Sequence, residues 1–227
     1  FDLGTFSPAI GTPFGASNSR LHEQWSEELQ LNGQLGEKVP GGPRLTYATG
    51  LYYFAEQGSE DNPQSFIFPV GAFVFPPFIT TPVPAGLGLF NPLNYNASDK
   101  SWAVYGQASY TPNMLDNKLR LTGGLRYSED KKEQNLLTSL GLTSPVAGKA
   151  KFNALTYLAK IQYFLNDDVN GYISYSKGYK AGGFNTRSLA LEPFKPETLK
   201  SLEVGVKANW FDRRLQTNVS AFWNKAE

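Results

Sequence analysis

The 227-residue chain has no cysteine, one histidine and one methionine. Without cysteine there is neither a disulfide framework nor a thiolate metal site. A lone His22 leaves no multi-histidine metal centre and no repertoire of Ser-His-Asp sets, and no HExxH motif occurs. The chain therefore reads as a non-enzyme without a cofactor. An excess of either charge is also missing: 21 Lys and Arg stand against 20 Asp and Glu. Nucleic-acid binding needs clustered excess basic charge, so nucleic acid is not an expected partner. Uninterrupted apolar runs are missing too. Residues 66–90 carry no charge and could span a bilayer by length. Pro69, Pro76, Pro77, Pro82 and Pro84 fall inside them, and each interior proline costs a helix about 3 kcal/mol. The stretch reads as a long apolar loop. No leader follows Phe1, and the chain stops at Glu227 inside a strand pattern, so a fragment is expected.

What is abundant is aromatic residues, with 12 Tyr, 16 Phe and 4 Trp, together with 22 Gly and 15 Pro. Many aromatics among many turn formers indicate an all-β chain. The mean hydropathy of −0.35 is no objection to a membrane location. Strands of a membrane barrel alternate apolar with polar residues and give little net signal.

Period two is the organising pattern. In "KLRLTGGLRYSED", Leu119, Leu121, Gly123, Leu125 and Tyr127 share one face, and Arg120, Thr122, Gly124, Arg126 and Ser128 the other. In "SLEVGVKANW", Leu202, Val204, Val206, Ala208 and Trp210 oppose Ser201, Glu203, Gly205, Lys207 and Asn209. Strands are predicted over 21–31, 45–57, 101–112, 118–131, 151–165, 169–180, 198–211 and 214–225. The first is irregular, because Glu27 shares a face with Trp25, Leu29 and Leu31. Runs of roughly 10–14 residues exceed the usual 5–6 and match a tilted membrane strand. Trp102 and Tyr110 lie on one face about 26 Å apart along the strand, as two aromatic girdles would require.

Connections alternate in length. Turns at 113–117, 166–168 and 212–213 are short, whereas 58–100, 132–149 and 181–197 are long; the connection at 32–44 is longer than this rule expects. "YISYSKGYKAGGFN" (172–185) contains glycines beside lysines, but it is not a phosphate loop, since no helix follows. It reads as a strand released into an outer loop, with Gly182 and Gly183 supplying positive φ. Lys177 there faces the lipid side and belongs near the interface. "YSEDKKEQN" (127–135) is a solvated strand end. "NDD" (166–168) and "SED" (59–61) are turn chemistry rather than calcium ligands. Arg120, Arg126, Lys160, Glu203 and Lys207 fall on the inner face of a wet wall.

Several stretches resemble one family. "SWAVYGQASYTPNMLDNKLRLTGGLRYSEDKKE" is similar to a hairpin of the TonB-dependent outer-membrane receptors. "NGYISYSKGYKAGGFN" resembles a strand of theirs rising into an outer loop, and "FKPETLKSLEVGVKANWFDRRLQTNVSAFWN" resembles the strand–turn–strand that follows. The resemblance covers about residues 21–57 and 101–225. It implies about eight long strands of a larger plugged antiparallel barrel of about 22 strands, wound as an up-and-down meander. Residues 1–227 are then part of one barrel domain, with 58–100 a long outer loop and the plug, signal peptide and remaining strands absent. It also implies uptake of a scarce nutrient such as an iron–siderophore complex across the Gram-negative outer membrane. The partners would be outer-membrane lipid, a small ligand and, through the missing plug, TonB. Lys180, Phe184, Asn185 and Arg187, on the loop after the glycines, are the candidate substrate-binding residues. Two other readings stay open: a self-contained eight-stranded barrel acting as anchor or adhesin, and a soluble β-sandwich binding module.

Overall fold

The computed structural model describes residues 14–68, 87–139, 144–188 and 190–227. Among these the strands are β1 (Phe14–Ala16), β2 (Ser19–Val39), β3 (Gly42–Asp61), β4 (Gln64–Phe68), β5 (Leu87–Asn91), β6 (Asn94–Tyr110), β7 (Leu119–Thr138), β8 (Val146–Phe164), β9 (Val169–Lys180), β10 (Gly183–Phe184), β11 (Pro193–Phe194), β12 (Glu197–Trp210) and β13 (Leu215–Ala226). Eight of them form one antiparallel sheet in the order β13-β12-β9-β8-β7-β6-β3-β2. This is a meander in which each long strand pairs with the next long strand. β1, β4 and β5 make a small separate sheet, and β10 and β11 a two-stranded one.

All eight predicted strands are present, and the topology excludes both other architectures. β2 and β13 lie at opposite ends of the order and do not pair, so the described strands do not close a barrel. Nor do the described residues hold a second large sheet for a sandwich. The apolar face of the wall is uncovered by the described residues: Leu125 is 59% exposed and Val204 and Val206 each 51%. A soluble core would bury such residues; lipid accounts for their exposure.

The register shows which side chains face that lipid. Tyr53 pairs with Trp102, Val104 with Tyr127, Leu125 with Tyr157, Ala159 with Tyr175, and Leu202 with Trp223. These aromatics, with Trp25, form an upper ring. Neighbours along it meet, with ring centroids 5.5 Å apart for Trp25–Tyr53, 5.6 Å for Trp102–Tyr127 and 5.8 Å for Tyr157–Tyr175. Tyr47, Tyr110, Tyr163 and Trp210 mark a lower ring. Between the rings the outward residues are Val, Leu, Ile, Ala, Gly and Thr; Glu27, one step inside Trp25, is the acidic exception among the described residues.

Strand ends differ from expectation in one direction. β3 continues to Asp61, β6 begins at Asn94, β7 reaches Thr138 and β8 begins at Val146, so the expected loops 58–100 and 132–149 are strand at both ends. Above the membrane both faces are wet, and alternation no longer marks a strand. The apolar stretch 66–90 is β4 and β5 at its ends; residues 69–86 lie outside the described residues. The expected long connection 32–44 is a tight turn at Pro40 and Gly41, because Val39 pairs with Gly42. Gly41 has φ +83°, and proline followed by a positive-φ glycine is what a type II turn demands. Arg120 donates to the carbonyls of Gly41 and Pro43, the latter at 2.7 Å, and Arg44 donates to the Thr111 carbonyl at 2.9 Å. Two neighbouring turns are thereby fastened at the short-turn end of the wall.

Gly182 and Gly183 do not supply positive φ. Neither is among the glycines in the left-handed region. Space is the reason for them: a Cβ on Gly182 would lie 2.2 Å from the Phe194 carbonyl oxygen and 2.7 Å from the Phe152 ring, and one on Gly183 would lie 2.9 Å from the Phe194 ring. They let the β10–β11 hairpin fold against the wall.

Candidate functional site

The inner face of the spanning region is rich in polar and aromatic side chains. Arg126 lies 5.4 Å from the Tyr52 ring centroid and 5.7 Å from that of Tyr105. Tyr105 donates to Glu28 at 2.6 Å and receives Gln30 at 3.0 Å. Two strands further on, Lys160 sits 4.6 Å and Lys207 5.7 Å from the Tyr172 ring, while the Tyr172 hydroxyl donates to Glu203. The predicted inward positions of Arg126, Lys160, Glu203 and Lys207 are therefore correct. Each charge is held against an aromatic or an opposite charge, which suits a hydrated wall.

At the long-loop end the inner face gathers a charge-assisted node around Glu60, which is 8% exposed. Its carboxylate accepts from Asn18 and Arg20 at 3.2 Å, Asn62 at 3.0 Å and the Tyr95 hydroxyl at 2.5 Å, and pairs with Arg20 Nε at 3.0 Å. Burial pushes the Glu60 carboxyl up, but hydrogen bonds from Tyr95, Asn62 and Arg20 outweigh it and hold the group at about 2. The Tyr95 hydroxyl is pushed up to about 12 by burial and by the Glu60 carboxylate. Nearby, His22 Nε2 meets Glu56 at 2.7 Å. A cavity of about 290 Å³ opens against Arg20, His22, Glu56, Glu60, Tyr95 and Asp99. Period-two reading did not single out Glu60. "SED" reads as a turn, and all partners of Glu60 but Asn62 are sequence-distant.

Beside the node lies an apolar cluster of Leu93, Leu136 and Leu191, with Tyr95, Val146 and Phe184 packed on it. Of the predicted site residues, Phe184 is thus a packing residue. Asn185 closes a turn, its side-chain oxygen accepting from the Arg187 N–H at 3.0 Å and its carbonyl from Ser188 at 3.0 Å. Arg187 Nη1 reaches across to Gln64 at 3.3 Å, tying this loop to β4. Lys180 stands apart, exposed, 3.7 Å from Glu197. So Phe184, Asn185 and Arg187 share one loop surface next to the Glu60 node, and Lys180 flanks it. Buried Gln134 Nε2 has no hydrogen-bond partner among the described residues.

Comparison with known proteins matches residues 2–227 to the family described as TonB dependent receptor-like, beta-barrel. The ferric yersiniabactin uptake receptor FyuA from Yersinia pestis superposes with a TM-score of 0.74 at 18% identity, over 95% of this chain and 30% of that one. The siderophore receptor PiuA from Acinetobacter baumannii gives 0.61 at 17% identity, over 90% of this chain and 32% of that one. At these identities the likeness is one of fold, and this chain spans about a third of either receptor's length.

Proposed function

This chain belongs to the TonB-dependent receptors, a family of outer-membrane proteins of Gram-negative bacteria, and on that premise we propose that it is wall from a transporter that takes up a scarce nutrient, an iron–siderophore complex. The observation that supports this reading is the two-sided wall. A lipid face runs between two aromatic rings, and a polar, aromatic lumen face leads to loops tied together at one end. Of two solved structures that share the fold, one is named a ferric yersiniabactin uptake receptor and the other a siderophore receptor. Ligand recognition falls to the loop end, where Asn185, Arg187 and Lys180 present donors beside the Glu60 node. Phe184 holds that surface in place. Energy comes from TonB acting on a plug inside the barrel; the wall itself is a continuous hydrogen-bonded ladder.

Growth of a Gram-negative host on individual siderophores as sole iron source, with and without the intact gene, tests the reading. One siderophore class is expected to fail without the gene, and uptake of its labelled iron to stop when the proton gradient is collapsed. Equal growth on every siderophore, or uptake that survives loss of the gradient, overturns it.

A further inference from the structure

Between the aromatic rings the long strands form one unbroken ladder; above the upper ring the β8–β9 seam opens. β8 and β9 pair only as far up as Tyr157–Lys177. β8 stays paired with β7 up to Val146, and β9 with β12 up to Lys180. Residues 146–156 of β8 therefore present an unpaired edge among the described residues, roughly 35 Å of strand. Such an edge is a template for a further strand. The chain that would fill it has turned into the lumen instead. Exposure along β9 alternates up to Tyr175 and then slips, with Ser176 and Lys177 both half-buried. Tyr179 shares parity with outward Tyr175, yet its hydroxyl lies beside Asp130 on the inner face of β7. Gly182 rests against the Phe152 ring, and the Phe184 ring covers Gly148. That cover has a defect. Gln134, directly opposite Gly148, is 6% exposed, and its Nε2 finds no acceptor among the described residues; a sealed donor without a partner destabilises the state that seals it.

Continuing the Tyr157–Lys177 register upward sets Phe152 opposite Gly182 and Ala150 opposite Phe184, large against small on the inner side. On the outer side Asn153 meets Ala181 and Lys151 meets Gly183, so no like charges are opposed. The free edge and residues 178–187 thus fit each other in the register already fixed below them. We propose that residues 178–187 are an exchangeable strand, which lies on the lumen side of β8, as here, or pairs with the β8 edge, and that this exchange switches the loop surface off and on. The switching rests on the reading of that surface as the ligand contact. Strand parity decides its direction. Odd residues of β9 point outward when paired, as Ile173 and Tyr175 do. Edge pairing therefore turns Asn185 and Arg187 away from the lumen and breaks the Arg187–Gln64 hydrogen bond. It also lifts Phe184 from Gly148 and opens Gln134 to water. Packing of Phe184 on the Leu93, Leu136 and Leu191 cluster favours the lumen-side form. New ladder hydrogen bonds and the released Gln134 amide favour the edge-paired form.

Disulfide trapping in the intact receptor, purified and held in lipid vesicles, tests the exchange. These 227 residues contribute no cysteine, and any elsewhere in the receptor is replaced by serine. Asn153 points outward, away from the hairpin, so Asn153→Cys/Ala181→Cys closes a disulfide only in the edge-paired form, which brings the two β-carbons to bonding distance. With copper phenanthroline as oxidant this pair is expected to cross-link, and the out-of-register pair Lys149→Cys/Ala181→Cys to stay reduced. Adding Gly182→Ala, which crowds the Phe194 carbonyl in the lumen-side form, should speed cross-linking at least threefold. No cross-link in either background, or equal rates for the two cysteine pairs, overturns the exchange. These readings need no ligand and are independent of the transport proposal. Whole cells carrying the pair, supplied with labelled iron on the siderophore class identified by growth, should take it up at least tenfold more slowly after oxidation and recover with dithiothreitol. Uptake unchanged in cells whose receptor is cross-linked overturns the switching role.

Discussion

The Tyr95 hydroxyl donates to the Glu60 carboxylate at 2.5 Å across the β3–β6 pair, above the membrane and facing the lumen. The same carboxylate takes Arg20 from β2. One side chain therefore binds together the long-loop ends of three successive strands.

The pH dependence of this node follows from its shifted groups. The Glu60 carboxyl, ordinarily at 4.5, is held at about 2. Its contribution to stability is complete above pH 4.5 and is lost as the pH falls towards 2. Tyr95, ordinarily at 10, is raised to about 12, so its contribution is complete below pH 10 and lost between 10 and 12. Hydrogen exchange at residues 57–61 and 94–98 should accelerate in both windows. Glu60→Gln should abolish the acid window; an unchanged acid profile in that variant refutes the assignment.

The facing of β12 predicts an asymmetric response to charge. Val206 points to lipid midway between the rings, and Lys207 points to the lumen beside Tyr172. Val206→Lys should cost about 2–4 kcal/mol, measured by denaturant unfolding in lipid vesicles. Lys207→Gln should cost well under 1 kcal/mol, as solvated lumen positions do.

Gly182 should not tolerate even a methyl group. The obstacle at 2.2 Å is the Phe194 backbone carbonyl, which no side-chain change removes. Gly182→Ala should detach the β10–β11 hairpin and raise protease cleavage within residues 185–192. Gly171→Ala, whose nearest neighbour would be 3.7 Å away, should not. Equal protection of the two variants would contradict the packing described.

Two neighbouring loop residues should separate by readout. Arg187→Ala should lower ligand affinity roughly tenfold, the scale of one charged hydrogen bond, with little change in folding. Phe184→Ala should loosen the loop, at less than the about 3–5 kcal/mol of a fully buried phenylalanine, and lower affinity through that loosening. Ligand binding and thermal unfolding on the same samples distinguish them.

The wall was legible in the sequence because lipid enforces strict alternation. β12 shows it best: every outward position from Leu202 to Trp210 is apolar, and the register confirms each one. Above the rings that constraint ends, and β3, β6, β7 and β8 ran on unseen for that reason. The Pro40–Gly41 turn was missed because β2 continues past Leu35 through polar residues and a register shift before Lys38. At the loop end, Asn185 and Arg187 are proposed from their place after the glycines. The Glu60 node joins residues on three strands, and no local pattern announces it. "YSEDKKEQN" shows in sequence as a solvated strand end. Only the strand register shows that its Lys131 stands between Lys100 and Lys151 on the neighbouring strands.

The aromatic ring also serves as an inclinometer. The hydrogen-bonded row that starts at Trp223 passes Leu202, Tyr175, Ala159, Gly123, Ala108 and Tyr47 and ends at Gly33, eight residues from Trp25. Seven interstrand steps of about 4.8 Å against eight residues of about 3.3 Å give an inclination of about 38°. Bulk lipid thus reads a level ring while the hydrogen bonds climb by about one residue per strand. That stagger is cumulative. Two residues inserted into β7 between its paired ends would shift every ring aromatic beyond it by about 7 Å along the strand, and no local repacking could bring them level again.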